Sequence, residues 1–325
     1  MRFTTPFRLF LLPAVSLVAA HQRRQTGAGE PDESQSDLSA RPPPRFPYPV
    51  TKFPIANETV VLKETMYILP GQVFDGGMKR YERVEGSCNE QAEGTDADAV
   101  FNLMPGSTIR NVIIGIHQAE GIHALGDAWI ENVWFEDVCE DAITSKGRKY
   151  IWECGSGAPH PIFGYSSRLV NTQLRVLGGG ARRASDKIFQ DNALAGTLTI
   201  TGFYAEDFGN FYRSCGNCVL QARRTVNVTN VVAVNGTRMG FINANYDDTY
   251  YLSYAQLDTD RIVDKGIGNN QQIVPYLVGT GPDDRYALFN ETRDSITKYE
   301  GTVENAYEPE DPYPWLEQYW PDGFN

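Results

Sequence analysis

The short apolar pattern Ile109-Arg110-Asn111-Val112 recurs 21 residues later as Ile130-Glu131-Asn132-Val133. Further strand-like pieces follow: Val176-Leu177-Gly178-Gly179, Ile200-Thr201-Gly202-Phe203 and Val228-Thr229-Asn230-Val231. The steps between the third positions of these five pieces are 21, 46, 24 and 28 residues. A period in the low twenties that is carried by strands is typical of stacked coils, in which each coil buries its apolar residues against its neighbours. The pattern predicts an all-β parallel β-helix; a β-sandwich would instead show frequent tight hairpin turns such as Asn-Gly, which are few here.

The step of 46 residues is too long for one coil and contains about 26 extra residues. They lie in residues 148–173, where Trp152, Cys154 and His160 follow no strand or helix period. One interpretation is an irregular surface loop. Our hypothesis is that the segment is translated intron sequence, because the codons at both of its ends can contain splice-like GT and AG. A mature transcript that contains these codons would contradict the hypothesis.

The composition describes a folded, acidic chain of 325 residues, 41% hydrophobic and 22% charged. The 29 basic and 41 acidic residues give a net charge of -12, which argues against a nucleic-acid partner. A polyanionic substrate would therefore need a local basic site or bridging cations.

Both ends of the chain differ from the strand-rich middle. Arg2 and Arg8 precede an apolar run of about 12 residues that Pro13 interrupts, so residues 1–20 are predicted to be an export signal and not a membrane anchor. Residues 21–49 are polar and Pro-rich, as in a flexible leader. Residues 256–325 are predicted to be a divergent, acidic C-terminal extension. Four N-glycosylation sequons agree with a secreted, extracellular protein: Asn57-Glu58-Thr59, Asn227-Val228-Thr229, Asn235-Gly236-Thr237 and Asn290-Glu291-Thr292.

The densest acidic cluster contains Asp137, Glu140 and Asp141. Glu120 lies about one coil upstream and is the natural further ligand. Carboxylates held this close together repel one another and need a hard cation, and an oxygen-only ligand set indicates calcium. The alternative is a solvated acidic turn.

Basic residues follow the acids at coil-like offsets, as Lys146, Lys187 and Arg213. Acids and bases on successive coils are suited to hold an anionic sugar through calcium and through Lys or Arg. The alternative is that each of them is an ordinary surface charge.

Several motifs in order resemble the fungal pectate lyases of polysaccharide lyase family three. They lie between about Phe53 and about Tyr254: Phe74-Asp75-Gly76-Gly77-Met78-Lys79, Gln91-Ala92-Glu93-Gly94, Glu131-Asn132-Val133-Trp134, Asp137-Val138-Cys139-Glu140-Asp141-Ala142, Gly178-Gly179-Gly180-Ala181, Ser185-Asp186-Lys187 and Tyr212-Arg213-Ser214-Cys215-Gly216-Asn217-Cys218. The resemblance implies a single-stranded right-handed parallel β-helix as the catalytic domain, over residues 50–255. It also implies a monomer that cleaves polygalacturonate, the backbone of pectin, by calcium-dependent β-elimination.

The resemblance assigns roles to individual residues. The matching calcium ligands are Glu120, Asp137, Glu140 and Asp141. The substrate-binding positions are Lys146, Glu93 and Asn210, and the base is Arg213 or Lys187. Because an arginine pKa above about 12 makes proton abstraction costly at neutral pH, we expect an alkaline optimum. Asn210 stands where the family usually has Lys, so we expect weaker binding or lower turnover.

Five cysteines leave one unpaired in an exported protein. By analogy with the family, the pairs are Cys88 with Cys139 and Cys215 with Cys218. The remaining one, Cys154, lies in the irregular segment.

The residues leave two other functions open. A polygalacturonase-like hydrolase would use paired carboxylates about a water molecule, for which Asp247-Asp248 and Asp283-Asp284 are available. A non-catalytic β-helix that binds the cell wall would agree with Asn210 and with the irregular segment.

Overall fold

The described part of the chain is built almost entirely from β-strands. The computed structural model describes residues 51–89, 91–147 and 171–300. The strands are β1 (Thr59–Val61), β2 (Met66–Ile68), β3 (Val73–Glu82), β4 (Ala99–Leu103), β5 (Ser107–Ile114), β6 (Glu120–Ala124), β7 (Ala128–Phe135), β8 (Asp141–Ser145), β9 (Asn171–Leu177), β10 (Gly180–Asp191), β11 (Ala195–Thr201), β12 (Tyr204–Ser214), β13 (Arg224–Asn243), β14 (Thr249–Ile267), β15 (Tyr276–Thr280), β16 (Ala287–Leu288) and β17 (Ile296–Lys298). A short 3-10 helix, Ala244–Tyr246, separates β13 from β14. Within these ranges, no helix has the length and apolar character needed to cross a membrane.

Apart from β15, which pairs antiparallel with β14, the strands pair in parallel with strands one coil away, so that the chain winds around three faces. In the coil that starts at Ser107, the first face is formed by 107–110, the second by 112–114 and the third by β6. The next coil repeats this order with 128–131, 133–135 and β8. The 17 strands form one hydrogen-bonded array. The fold is the right-handed parallel β-helix that the sequence predicts.

The repeated apolar pattern forms a ladder inside the first face. Its members pair in register from coil to coil and are 0–2% exposed. They are Ile109, Ile130, Val176, Ile200, Val228 and Leu252. Burying a side chain of this size contributes about 1.5–3 kcal/mol, so the ladder is a main source of stability.

The corner between the first and second faces explains the Asn and Gly of the repeated pattern. Asn111, Asn132, Gly178, Gly202 and Asn230 all have positive φ angles, between 50° and 71°. Asn and Gly adopt this left-handed conformation at the lowest cost, because larger or branched side chains clash there. The Nδ2 of Asn132 also donates a hydrogen bond of 2.9 Å to the Oδ1 of Asn111 in the coil below. The sequence pattern therefore marks this corner in five coils; in the coil of Leu252 the same corner is Tyr254, with a φ of 51°.

The long step in the repeat arises between β8, which ends at Ser145, and β9, which begins at Asn171. Residues 148–170 lie outside the described ranges. Residues 171–173, the last three of the predicted insertion, belong to β9 and pair with 195–197. Removal of 149–170 would leave three residues between β8 and β9, the number that separates β6 from β7 and β10 from β11. This count agrees with the intron hypothesis, which stays a prediction.

The β-helix continues beyond the boundary predicted at residue 255. Leu257 pairs with Ala233, and Val263 pairs with Gly240, in the same parallel register as earlier coils. Two short strands, β16 and β17, then add parallel pairs to β14. The sequence pattern did not show this last coil, because exposed charged residues such as Asp258 and Asp260 interrupt its apolar positions. The predicted signal peptide (1–20), leader (21–49) and final residues of the extension (301–325) lie outside the described ranges.

Both disulfides that the family analogy implies are present. Cys88 is bonded to Cys139, and Cys215 is bonded to Cys218. The disulfide between Cys88 and Cys139 joins the segment before Glu93 to the residue that precedes Glu140. Cys154 lies outside the described ranges.

Candidate active site

The third face carries a row of polar side chains at one register position. Parallel pairing aligns Asp141, Lys187, Asn210, Arg238 and Arg261 in five successive coils. Neighbouring strands are about 4.8 Å apart, so the row runs along the axis of the β-helix for about 19 Å. The charge along this row changes from negative to positive.

Three carboxylates meet at the acidic end of the row. One oxygen from each of Glu120, Glu140 and Asp141 lies within 4.8 Å of the others, and the three side chains are almost fully buried. Glu120 accepts a hydrogen bond of 2.9 Å from the backbone N–H of Gly94. Oε2 of Glu140 and Oδ1 of Asp141 are buried and accept no hydrogen bond.

The pKa values of the two adjacent acids reflect this crowding. Burial raises the pKa of Glu140, and it raises the pKa of Asp141 further; the charge of Glu120 adds to both shifts, while Lys187 opposes them. Buried carboxylates with unused oxygen lone pairs are what a hard divalent cation requires. The donor set therefore fits calcium.

Lys187 lies against this cluster. Its Nζ is 3.1 Å from Oε1 of Glu140 and 3.3 Å from Oδ1 of Asp141, and it also contacts the carboxylate of Asp186. Burial alone would lower the pKa of Lys187, but the carboxylates of Asp141, Glu140 and Asp186 outweigh it and raise this pKa. One buried ammonium thus offsets part of the negative charge of the cluster.

His123 is a member of the site that sequence reasoning missed. The ring is fully buried, with Nε2 at 3.2 Å from Oε2 of Glu120 and Nδ1 at 3.1 Å from Oδ1 of Asp96. The imidazole thereby orients the carboxylate of Glu120. Side chains three residues apart on an ideal strand point to opposite faces, so the spacing of Glu120 and His123 did not predict a contact between them.

Asp137 lies apart from the three clustered carboxylates. Its side chain is partly exposed, and its Oδ2 is 3.1 Å from Nη1 of Arg183. Its backbone carbonyl accepts a hydrogen bond from Gln118. Of the four predicted calcium ligands, the structure therefore brings together Glu120, Glu140 and Asp141.

Of the predicted substrate-binding residues, Glu93 and Asn210 are linked to the cluster, whereas Lys146 lies beyond the opposite end of β8 from Asp141. Glu93 is exposed and close enough for its charge to raise the pKa of Glu140. Lys146 directly follows β8, and its backbone N–H donates to the carbonyl of Ala124. Asn210 is buried, and its Nδ2 donates to the backbone and carboxylate oxygens of Asp186, at 3.1 and 3.2 Å. Asn210 thus helps to hold Asp186, the partner of Lys187.

Arg213 lies in an open cleft next to the row. The cleft has a volume of about 310 Å³ and is also lined by Asn210, Arg238 and Phe241. The guanidinium of Arg213 lies 5.9 Å from the ring centre of Phe241. The sequence-predicted base is therefore accessible from this cleft.

The acidic pairs considered for a hydrolase do not form a catalytic pair. Asp248 is buried and accepts backbone N–H groups of Arg224 and Asn243, whereas Asp247 is exposed and pairs with Arg285. Oδ2 of Asp283 is 2.6 Å from Nζ of Lys265. These carboxylates hold loops in place.

A buried polar network lies behind Arg213. Asp191 accepts hydrogen bonds from the Tyr212 hydroxyl, at 3.3 Å, and from the backbone N–H of Ala193, at 3.1 Å. The guanidinium of Arg224 lies 3.9 Å from the same carboxylate. Burial raises the pKa of Asp191 to about 6, although Arg224 opposes the shift.

This pKa predicts how the stability depends on pH. Because the folded pKa of Asp191 lies above the unfolded value of 3.8, the folded state binds more protons between about pH 4 and pH 6, and stability falls as pH rises through that interval. A shift of about 2 units corresponds to about 3 kcal/mol. We expect Asp191→Asn to remove this part of the pH dependence, because the amide keeps an acceptor oxygen and stays neutral. The free energy of unfolding in urea, measured with chelator at pH 4 and pH 6.5, checks this, with the exposed Asp258→Asn as control; an unchanged slope for Asp191→Asn would contradict it.

The fold and the site together define a class of protein, the parallel β-helix with an acidic cluster and a basic cleft on one face. The pectate lyase family model matches residues 50–161 and 166–271. Pectate lyase H of Emericella nidulans is 40% identical over 87% of this chain and 96% of its own length. A probable pectate lyase D of Neosartorya fischeri is 40% identical over 72% of this chain and 89% of its own length. The chain belongs to the pectate lyase family, and its enzyme class is that of a pectate lyase.

Solved structures agree on the fold. The catalytic domain of pectate lyase PelI from Erwinia chrysanthemi superimposes with a TM-score of 0.53 at 22% identity, over 75% of this chain and 98% of that domain. A second PelI structure gives a TM-score of 0.54 over 75% of this chain and 71% of that chain.

Proposed function

We propose that this chain is an exported, calcium-dependent pectate lyase that cleaves polygalacturonate by β-elimination. The observation that carries the proposal is the buried cluster of Glu120, Glu140 and Asp141. Two of its oxygens accept no hydrogen bond, and Lys187 lies directly against it. This is an arrangement for a hard cation and an anionic substrate on one surface.

The cation and the substrate have complementary charges. Glu120, Glu140 and Asp141 would hold calcium, and His123 and the N–H of Gly94 would fix the orientation of Glu120. Calcium bound to the uronate carboxylate supplies charge neutralisation, which makes the adjacent C5 proton more acidic.

The protein's own groups perform the proton transfer. A base removes the proton from C5, the electron pair of that C–H bond forms the C4–C5 double bond, and the C4–O bond breaks with its electrons leaving on oxygen, which takes up a proton. Arg213 or Lys187 is the base. The open position of Arg213 favours it for this role, because Lys187 contacts Glu140, Asp141 and Asp186. Lys187 then contributes positive charge beside the reacting uronate.

Three further residues are proposed to contact the substrate. Lys146 follows the end of β8, the strand that begins with Asp141. Glu93 is exposed and precedes Gly94, whose N–H donates to Glu120, and Asn210 lies one coil beyond Lys187. The side chain of Asn210 is neutral and its amide is hydrogen-bonded to Asp186, so it attracts the polyanionic substrate less than a lysine would.

Incubation with polygalacturonate, with and without chelator, tests the proposal. We expect product that absorbs in the ultraviolet because of its double bond, with formation stopped by chelator and restored by calcium. Reducing ends without this absorbance would indicate a hydrolase, and binding without either product would indicate a non-catalytic cell-wall protein.

Export to the extracellular space and a monomeric state complete the proposal. Two disulfides support export, because such bonds persist in oxidising compartments.

A further inference from the structure

Three arginines from successive coils line the cleft beyond Asn210. They are Arg213 on β12, Arg238 on β13 and Arg261 on β14. Arg238 pairs in register with both Asn210 and Arg261, so the positive charge lies further along the axis than the carboxylate cluster. Arg261 is three strands from Lys187, about 14 Å.

The positive charge in this cleft is only partly compensated. Of the described residues that line it, Asp264 is the single acid; its fully buried Oδ2 is 2.7 Å from Arg238 and 2.9 Å from Arg261. Three guanidiniums and one carboxylate therefore line the cleft, for a net charge of +2. In addition, the Nε of Arg238 is buried and has no hydrogen-bond partner. Burial, together with the charges of Arg261 and Arg213, lowers the pKa of Arg238.

The cleft also offers a surface for the apolar side of a sugar ring. The ring centre of Phe241 lies 5.7 Å from the guanidinium of Arg238, and Val274 and Leu277 also line the cleft. Val274 is 78% exposed and Leu277 50% exposed, which leaves the cleft open to a polymer. Surplus guanidinium charge beside an aromatic ring fits a sugar that carries a carboxylate.

We propose that Arg238 and Arg261, with Phe241 between the arginines and the core, form a distal subsite that binds a second uronate of the same chain. This inference rests on the proposed function, because it takes polygalacturonate as the ligand. Asn210 carries no charge. Arg238 and Arg261 supply positive charge one and two coils beyond it. It gives the enzyme a preference for long oligomers over short ones.

Kinetics with galacturonate oligomers of defined length test the subsite. We expect Arg261→Gln to raise the KM for the hexamer about tenfold, the loss of one charge-assisted hydrogen bond, and to change the KM for the trimer much less. Arg293→Gln is the matched control, because Arg293 is exposed and pairs only with the adjacent Asp294 among the described residues. Equal effects of Arg261→Gln on trimer and hexamer, or no effect on either, would overturn the subsite.

Calorimetric binding of the hexamer in chelator separates this inference from the proposed function. If the wild-type chain binds the hexamer and Arg261→Gln weakens this binding about tenfold, the subsite is supported. If no unsaturated product forms in that case, the proposed function alone fails. If unsaturated product forms but Arg261→Gln leaves hexamer binding unchanged, the subsite alone is overturned. No binding and no product contradicts both.

Discussion

Replacement of Arg213 by Ala is expected to lower kcat on polygalacturonate by about 10²- to 10⁴-fold, the usual contribution of a general base. KM should change far less, because Arg213 acts on the proton that is lost in the transition state. Initial rates of unsaturated product at saturating calcium measure both parameters. The exposed Arg293→Ala serves as control, since its partner Asp294 lies outside the site.

The same experiment distinguishes the two candidate bases. If Arg213 is the base, Arg213→Lys should recover part of the rate with a pH profile displaced towards lower pH, because lysine has a lower pKa than arginine. Lys187→Ala would then lower binding and turnover together. A large loss of kcat in Lys187→Ala with normal turnover in Arg213→Ala would reverse the assignment, and activity that peaks near pH 5 without calcium would contradict the mechanism.

Replacement of Asp141 by Asn is expected to abolish the stabilisation of the fold by calcium. A ligand at 100 times its Kd stabilises a folded protein by about 2.7 kcal/mol, which for a chain of this size raises Tm by about 4–5 °C. Asp141→Asn removes one of the three clustered carboxylates and also the charge that pairs with Lys187, so the variant is compared with itself with and without calcium. Thermal unfolding with chelator and with millimolar calcium measures the shift independently of activity.

Asp137→Asn is the matched comparison for this prediction. Asp137 pairs with Arg183 and lies outside the three clustered carboxylates, so the variant should keep most of the calcium-induced shift in Tm. A shift that disappears in Asp137→Asn but persists in Asp141→Asn would contradict the ligand set that the geometry favours.

Much of the fold was predictable because the β-helix repeats its local requirements in every coil. Each coil needs an aliphatic residue that stacks on Ile109 or Ile130 and a corner residue that tolerates a positive φ, as Asn111 and Asn132 do. These requirements are local in sequence, so the steps of 21, 46, 24 and 28 residues can be read directly from the order of the amino acids. The last coil was missed because its strand carries exposed charges such as Asp258 and Asp260.

The site was predictable where its residues belong to the family motifs or recur one coil apart. Glu140 and Asp141 are adjacent, and the family motif around them identified the acidic cluster together with Glu120. The contact of His123 with Asp96, that of Asp186 with Asn210 and the pairing of Asp137 with Arg183 join residues that are 24 to 46 positions apart in sequence. No spacing within one strand reports such contacts.

The sequence by itself determined the coil repeat, the acidic cluster and the family, because each of these depends on residues that are neighbours along the chain. Only the tertiary structure decided which carboxylates lie together, that the ammonium of Lys187 contacts them, and where the other positively charged side chains lie. Arg213, Arg238 and Arg261 belong to three different coils, and the parallel register alone places them around one cleft. The physical reason is that electrostatic interactions depend on distance through space, which the winding of the chain sets.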